Sequence, residues 1–145
     1  MPLNDYLSEC KKNQKIIVSK DKRNPQKHIA LNNDLNDVYH YKIDGGVITF
    51  GLRCDYLLWN ETKHHIYFIE LKGSDIKHAL DQIEETDNYL KIHFPLEMGL
   101  VKNKSYRIVL NRVSPIRLYS QREKQFKNKH LGDLKYDSGV IKECI

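Results

Sequence analysis

The segment of residues 65–72 constrains the fold more than any other part of the sequence. It reads His-Ile-Tyr-Phe-Ile-Glu-Leu-Lys, and its β-branched and aromatic side chains occupy odd and even positions alike. A strand that is apolar on both faces lies inside a sheet that is covered on both sides. We therefore predict that this segment is a central strand of the fold.

Residues 53–59 form the strand next to it. A polar break of five residues, 60–64, separates the two segments. Connections this short join antiparallel strands, so we predict that the two segments form a hairpin.

A helix follows the central strand directly. Gly73 ends the strand, Ser74 is the predicted N-cap, and Asp75 lies in the first turn. Apolar residues then recur at helical spacing to about residue 92. Because a helical connection leaves room for a right-handed crossover, the next strand, 106–113, should run parallel to the central strand.

The remaining elements are shorter. We predict a helix over residues 3–13, a basic helix over 121–131, and strand candidates at 16–18, 28–31, 38–43, 47–50, 134–136 and 140–141. The strands before residue 72 are joined by short turns and should be antiparallel. The order of elements predicts an α/β protein, namely a single-domain α/β sandwich over residues 1–145 with a mixed central sheet.

Chain length and composition agree with this prediction. The 145 residues are 40% hydrophobic and 30% charged, which is typical of one globular domain with one core. No apolar run approaches the ~18 residues of a membrane span, and the first residues lack the pattern of a signal peptide. We therefore expect a cytoplasmic protein with reduced cysteines at Cys10, Cys54 and Cys144. No Cys-x-x-Cys pair occurs, which excludes a zinc ribbon.

Charge is distributed unevenly along the chain. Residues 1–30 carry seven Lys and Arg against three Asp and Glu, residues 31–100 carry six against twelve, and residues 101–131 carry nine against one. Acidic clusters bind hard cations, and basic clusters bind phosphate. The pattern indicates a metal centre that faces a polyanion, although ordinary solvated faces would explain the same charges.

Three charged side chains meet at one end of the predicted hairpin. A hairpin of residues 53–59 and 65–72 makes Asp55 and Glu70 cross-strand neighbours, with Cβ atoms about 4.5–5.5 Å apart. Lys72 shares the face of Glu70. Two carboxylates this close repel each other unless a cation lies between them, and Mg²⁺ suits them. The alternative is a structural acidic pair at a sheet edge, with Lys72 as its salt-bridge partner.

The short motifs here are Arg53-Cys54-Asp55-Tyr56 and Glu70-Leu71-Lys72-Gly73, and a helix that contains Gln82 follows them. Together they resemble the PD-(D/E)XK nuclease superfamily, which includes restriction endonucleases, Holliday-junction resolvases and RecB-type exonuclease domains. The resemblance covers about residues 3–113 and implies a restriction endonuclease-like core of the order αβββαβ. The chain differs from the family pattern in having Cys54 in place of a proline. Tyr89 also lies further from Gln82 than in RecB-like members.

The resemblance implies a role for each matching residue. Asp55 and Glu70 would be metal ligands together with the carbonyl of Leu71, and Mg²⁺ would be the cofactor, which Mn²⁺ can replace. Lys72 would orient the attacking water, and Gln82 would position substrate or water, so the expected catalytic residues are Asp55, Glu70, Lys72 and Gln82. Glu9 is a candidate for a further acid on the first helix.

The predicted partner is nucleic acid, with DNA favoured over RNA. Basic helices at 11–27 and 102–130 would hold the backbone, and the expected phosphate contacts are Arg112, Arg117, Arg122, Lys124, Lys127 and Lys129. The predicted activity is metal-dependent hydrolysis of phosphodiester bonds by an endo- or exonuclease of a defence or DNA-processing system. A binding module that does not cleave and an RNA-directed nuclease are the alternatives. Sequence specificity would come from loops, a homodimer or a larger protein partner.

Overall fold

Eight strands and three helices make up the residues that the computed structural model describes, which are 2–71, 75–111 and 120–145. In chain order they are β1 (Ile16–Lys20), β2 (Lys27–Leu31), β3 (Val38–Lys42), β4 (Tyr56–Asn60), β5 (His65–Leu71), α1 (Ile76–His93), α2 (Pro95–Gly99), β6 (Asn103–Leu110), α3 (Ser120–Lys129), β7 (Asp133–Ser138) and β8 (Val140–Cys144). The predicted α/β class is confirmed. No helix in these ranges is long and apolar enough to cross a membrane.

The predicted central strand, β5, lies in the middle of a five-stranded sheet. The strand order is β3-β4-β5-β6-β7, in which β3, β4 and β5 are antiparallel and β5, β6 and β7 are parallel. The predicted hairpin, the parallel crossover and the mixed sheet are therefore confirmed. Residues 66–71 of β5 are all buried, as its two apolar faces require.

Helix α1 covers one face of this sheet. Its buried stripe includes Ile76, Leu80 and Ile83, which pack with Ile66 and Phe68 of β5 in one hydrophobic cluster. The residue that caps the N-terminus of α1 differs from the prediction.

Asp75 is the N-cap of α1 rather than a residue of its first turn. Its backbone is extended, and its side chain accepts a hydrogen bond from the backbone N–H of His78 at 3.0 Å. The first N–H groups of a helix have no acceptor within the helix, and a carboxylate can accept from them as well as a serine hydroxyl does. The helix therefore begins one residue later than predicted. Ser74 itself lies outside the described residues.

A second sheet covers the other face, whereas the sequence predicted only one sheet. It is mixed and has the order β1-β2-β8, with β1 and β2 antiparallel and β2 and β8 parallel. A second hydrophobic cluster lies between the sheets and includes Ile17 and Ala30 on one side and Tyr67 and Ile69 on the other. The three-stranded sheet therefore takes the place of the second helical layer.

The last two strands occur where they were predicted, but they belong to different sheets. Strand β7 pairs with β6, and β8 pairs with β2. Gly139 separates them with a φ of 79°, a left-handed conformation that glycine adopts without strain. Its N–H donates to Leu110 in the large sheet at 2.9 Å, and its carbonyl accepts from Lys27 in the small sheet at 3.1 Å.

Three predicted elements are wrong. Residues 3–13 form turns instead of a helix: Leu3 is fully buried whereas Leu7 is 88% exposed, so their helical spacing does not mark a common apolar face. Residues 47–50 form no strand, because Val47 and Ile48 are both buried while the chain turns around them. The predicted basic helix at 11–27 is likewise absent, since this segment contains turns, β1 and the loop that follows it.

A buried ion pair joins the two sheets. Arg107 of β6, 2% exposed, donates to both carboxylate oxygens of Glu143 on β8, at 2.7 and 3.0 Å. His28 of β2 lies 2.7 Å from the same carboxylate, and Asp133 accepts a further bond from Arg107 at 2.9 Å. Burial alone would raise the pKa of Glu143, but the hydrogen bonds from His28 and Arg107 lower it to about 2.

This pair makes the stability of the fold depend on acid pH. A carboxyl whose folded pKa is depressed stabilises the protein above its unfolded pKa, and the stabilisation is lost as pH falls from about 4.5 to about 2. We expect Glu143→Gln to lower the free energy of unfolding at pH 7, by on the order of 3 kcal/mol. Its stability should then change less than that of the wild type between pH 4.5 and 2, as measured by urea denaturation.

Glu85→Gln is the matched control for this prediction, since Glu85 is exposed on α1. Its stability profile should follow that of the wild type. Parallel profiles for Glu143→Gln and the wild type would contradict the role given to the buried pair.

Candidate functional site

The β4–β5 hairpin has the register that the sequence predicted. Tyr56 pairs with Ile69 and Asn60 with His65, so the next pair beyond the end of β4 would be Asp55 with Glu70. The ladder changes at that point, because the N–H of Asp55 donates to the carbonyl of Ile69 at 3.1 Å. Asp55 and Tyr56 thus both lie opposite Ile69, which is the arrangement of a β-bulge.

The bulge directs the carboxylate of Asp55 at the end of β5. Its Oδ2 accepts a hydrogen bond from the backbone N–H of Leu71 at 2.8 Å. The side chain is partly buried and lines a cleft that opens to solvent. Asp55 is therefore held in place by β5 while it stays accessible from outside.

Glu70 is fully buried one residue before Leu71. Since side chains alternate along a strand, Glu70 shares the face of Ile66 and Phe68, which α1 covers. An ionisable side chain at this position stands out in a strand that is otherwise apolar over residues 66–71.

The thiol of Cys54 reports on both carboxylates. Burial raises its pKa well above the usual value, and the negative charges of Glu70 and Asp55 raise it further. Asp55 lines the cleft, whereas Glu70 lies on the face that α1 covers and is not among the described residues that line the cleft.

Helix α1 fixes the backbone just before Asp55. The Oγ1 of Thr86 accepts from the N–H of Cys54 at 2.8 Å and donates to the carbonyl of Gln82 at 2.8 Å. The Nε2 of Gln82 donates to the carbonyl of Arg53 at 3.1 Å. Two side chains from successive turns of α1 thus hold residues 53 and 54, and through them the bulge.

Gln82 is 6% exposed, and its Oε1 has no hydrogen-bond partner among the described residues. Its Nε2 is bonded to the main chain, so the amide group is oriented and the oxygen is left as an acceptor beside the hairpin. The sequence predicts Gln82 as a site residue, and helical spacing places Thr86 on the same face of the helix, one turn later.

Arg53 forms an ion pair with Asp44, with Nε 2.6 Å from Oδ1. Lys72, Arg112 and Arg117 lie outside the described residues.

The other predicted phosphate contacts lie on α3, and most of them have acidic neighbours. Arg122 bonds to Asp81 at 2.9 Å and to Glu84 at 3.3 Å, and Lys129 bonds to Glu84 at 2.9 Å. Lys127 pairs with Glu123 on α3 itself, while Lys124 is exposed. Burial alone would raise the pKa of Glu84, but its bonds to Lys129, His130 and Arg122 lower it to about 2.

The cleft beside Asp55 is lined by basic residues whose closeness to Asp55 the sequence did not predict. It has a volume of about 560 Å³ and lies between the loop after β1 and the strands β3 and β4. Its lining includes Glu9, the predicted further acid, and four basic residues, which are Lys20, Lys22, Arg23 and Lys42. Glu9 reaches this cleft from a turn, not from the predicted helix. The basic composition of residues 11–27 was the available signal, but its predicted helical form was wrong.

Comparison of the chain with protein-family models, with curated proteins and with solved structures finds no match. Within the described ranges, no cluster of three or more His, Cys, Asp or Glu side chains could hold a metal ion. The candidate site therefore rests on the geometry of Asp55, Glu70 and their neighbours on α1.

Thr86 provides a test of how the bulge is held. Thr86→Val keeps the shape of the side chain but leaves the buried N–H of Cys54 without an acceptor, which should destabilise the protein by about 1–3 kcal/mol. Thr86→Ser keeps the hydroxyl and should preserve most of the stability. Urea denaturation of both variants measures the difference, and equal stabilities would show that this hydrogen bond does not hold the segment.

Proposed function

We propose that the protein is a metal-dependent nuclease that hydrolyses phosphodiester bonds in nucleic acid, with DNA as the preferred substrate. The observation that carries this proposal is the end of the β4–β5 hairpin, where an accessible Asp55 at a bulge and a buried Glu70 lie one step apart in register. Glu70-Leu71-Lys72 completes the acid-x-lysine motif of the PD-(D/E)XK superfamily.

The order of elements from β3 to β6 supports the resemblance to that superfamily. Three antiparallel strands, the helix α1 and the parallel strand β6 correspond to the last five elements of an αβββαβ core. Residues 2–37 contain no helix, so the first element of that core has no counterpart in this part of the chain. Glu9 would then act from a turn.

The donor atoms fit a hard divalent cation. Asp55, Glu70 and the Leu71 carbonyl offer only oxygen ligands, which Mg²⁺ prefers, and Mn²⁺ accepts the same set. Two protein carboxylates would leave several coordination positions for water and substrate phosphate. When bound, the cation would lower the pKa of a water molecule and withdraw charge from the phosphate oxygens.

The side chains of the protein would supply orientation and charge. The Leu71 N–H fixes the rotamer of Asp55. Glu70 is buried away from bulk water, and in the protein interior a charge interacts more strongly with its neighbours than it does in water. Lys72 would stabilise the negative charge that grows on the phosphate and help to deprotonate the attacking water. The Oε1 of Gln82 would accept a hydrogen bond from water or substrate.

The direct experiment is a cleavage assay with linear DNA, circular DNA and RNA in Mg²⁺, in Mn²⁺ and in EDTA. We expect metal-dependent cleavage of DNA that Asp55→Ala abolishes. Cleavage of RNA alone would assign the RNA-directed alternative. Nucleic-acid binding without cleavage of any substrate would assign the non-cleaving module.

Glu70→Gln tests the role of the buried carboxylate. The substitution keeps the size of the side chain but removes a charge that balances a divalent ion, so half-maximal cleavage should require at least about tenfold more Mg²⁺, a loss of about 1.4 kcal/mol in metal affinity. The matched control is Glu85→Gln on the exposed side of α1, whose Mg²⁺ requirement should stay that of the wild type. An unchanged requirement in Glu70→Gln would leave Glu70 with a structural role only.

A further inference from the structure

The loop between β1 and β2 is held next to Asp55 by Tyr56, the residue that follows Asp55 in sequence. The hydroxyl of Tyr56 donates to the carbonyl of Lys20, at the end of β1, at 2.8 Å. The ring of Tyr56 is stacked on His40, with centroids 4.8 Å apart. The position of the loop is thereby tied to the strand that begins directly after Asp55.

The loop has a defined turn, which Asp21 organises. Its Oδ1 accepts from the N–H of Arg23 at 3.1 Å, and its Oδ2 accepts from the side chain of Asn24 at 3.4 Å. Lys22 and Arg23 lie inside this turn with exposed side chains. Their charged groups are therefore presented by an ordered backbone on the wall of the cleft that Asp55 lines.

The basic residues of this cleft differ from those of α3 in their neighbours. Lys20, Lys22, Arg23 and Lys42 all line the cleft, and none of them forms an ion pair with the described residues. On α3, by contrast, Arg122, Lys127 and Lys129 are each within 3.3 Å of a carboxylate. A cation that is free of a protein carboxylate can bind a phosphate without first giving up a partner.

The charges of the cleft are close to balance. Its lining contains four Lys and Arg and four carboxylates, Glu9, Asp21, Asp44 and Asp55, and Asp44 is paired with Arg53 from outside the cleft. The other three carboxylates form no ion pair with the described residues, and against four cations they leave a net charge of +1 among the residues of this lining. A divalent cation at Asp55 would make the cleft strongly positive, so substrate and metal would each favour binding of the other.

We propose that Lys22 and Arg23, together with Lys20 and Lys42, bind the backbone phosphates of the nucleic acid that flank the scissile bond, and that Tyr56 positions their loop. This inference rests on the proposed nuclease function and assigns its substrate contacts to the β1–β2 loop rather than to α3. Such contacts give affinity and position without reading base sequence.

The test compares two double variants that remove the same charge. Lys22→Gln/Arg23→Gln changes the loop, and Lys127→Gln/Lys129→Gln changes α3, where both lysines have carboxylate partners. Binding of a fluorescein-labelled DNA duplex is measured by anisotropy over a range of salt concentrations in EDTA, where no cleavage occurs. The loop variant should reduce the slope of log Kd against log salt by about 1.8, because two phosphate contacts are lost, and the α3 variant should leave it unchanged.

Cleavage in Mg²⁺ supplies a second readout. The loop variant should raise KM at least about tenfold with little change in kcat. The lost phosphate contacts would stabilise the bound substrate and the transition state equally, and the residues around Asp55 stay intact. Tyr56→Phe keeps every charge but releases the loop, and it should raise KM in the same direction. Thermal melts should show both double variants folded, because all four substituted side chains are exposed.

The outcomes separate this inference from the proposed function. If the wild type cleaves DNA and the loop variant binds and cleaves as the wild type does, or if the loop and α3 variants lose affinity equally, the inference is wrong and the nuclease function stands. If the wild type neither binds nor cleaves nucleic acid with any metal, both are wrong.

Discussion

Arg107 places a positive charge between the two sheets, where water cannot solvate it. Its guanidinium bonds to Glu143 with two nitrogens and to Asp133 with one of them, and His28 supports the same Glu143 carboxylate. Removing one partner of a buried ion pair costs about 3–5 kcal/mol, because the other charge is left unpaired. The arrangement therefore allows one relative position of the small sheet, and with it one position of the β1–β2 loop over the cleft.

A second polar contact between the sheets involves a neutral side chain. Burial, and to a smaller extent the neighbouring imidazole of His28, lower the pKa of His40 to about 4, so His40 is neutral at pH 7. Its Nε2 lies 2.7 Å from the hydroxyl of Ser19, which links β3 to β1. In the part of the chain that the structure describes, the two sheets are thus joined by the ion-paired group of Arg107 and by neutral hydrogen bonds, which include His40 with Ser19 and Tyr56 with the carbonyl of Lys20.

The parts of the fold that the sequence predicts are those with local signals. The apolar run of β5, the short break before it and the long amphipathic pattern of α1 determine the hairpin, its register and the parallel crossover. The small sheet has no such signal, since β8 pairs with β2 across more than a hundred residues and each strand has only five. The spacing of Leu3 and Leu7 was misleading because burial there is decided by the strands beneath, not by the segment itself.

The candidate site also has features that the sequence predicts and features that it does not. The register of β4 and β5 could be predicted from hairpin symmetry alone, but the predicted pair of Asp55 with Glu70 does not form, because the bulge places Asp55 opposite Ile69. The bulge at Asp55 depends on contacts that no local pattern encodes, namely the hydrogen bonds of Gln82 and Thr86 to residues 53 and 54. The cleft depends on the position of the small sheet, so its lysines and its arginine could be seen as basic residues but not as neighbours of Asp55.

The single-residue link at Gly139 bears on how proteins of this architecture can diversify. Both hydrogen-bonding groups of its backbone are used, one in each sheet, so an inserted residue there would break a ladder. The turn at Lys22 and Arg23 is exposed and carries no strand pairing, so it can change in length and sequence without disturbing either sheet. Evolution can therefore vary the loop that borders the cleft while the framework around Asp55 and Glu70 stays fixed.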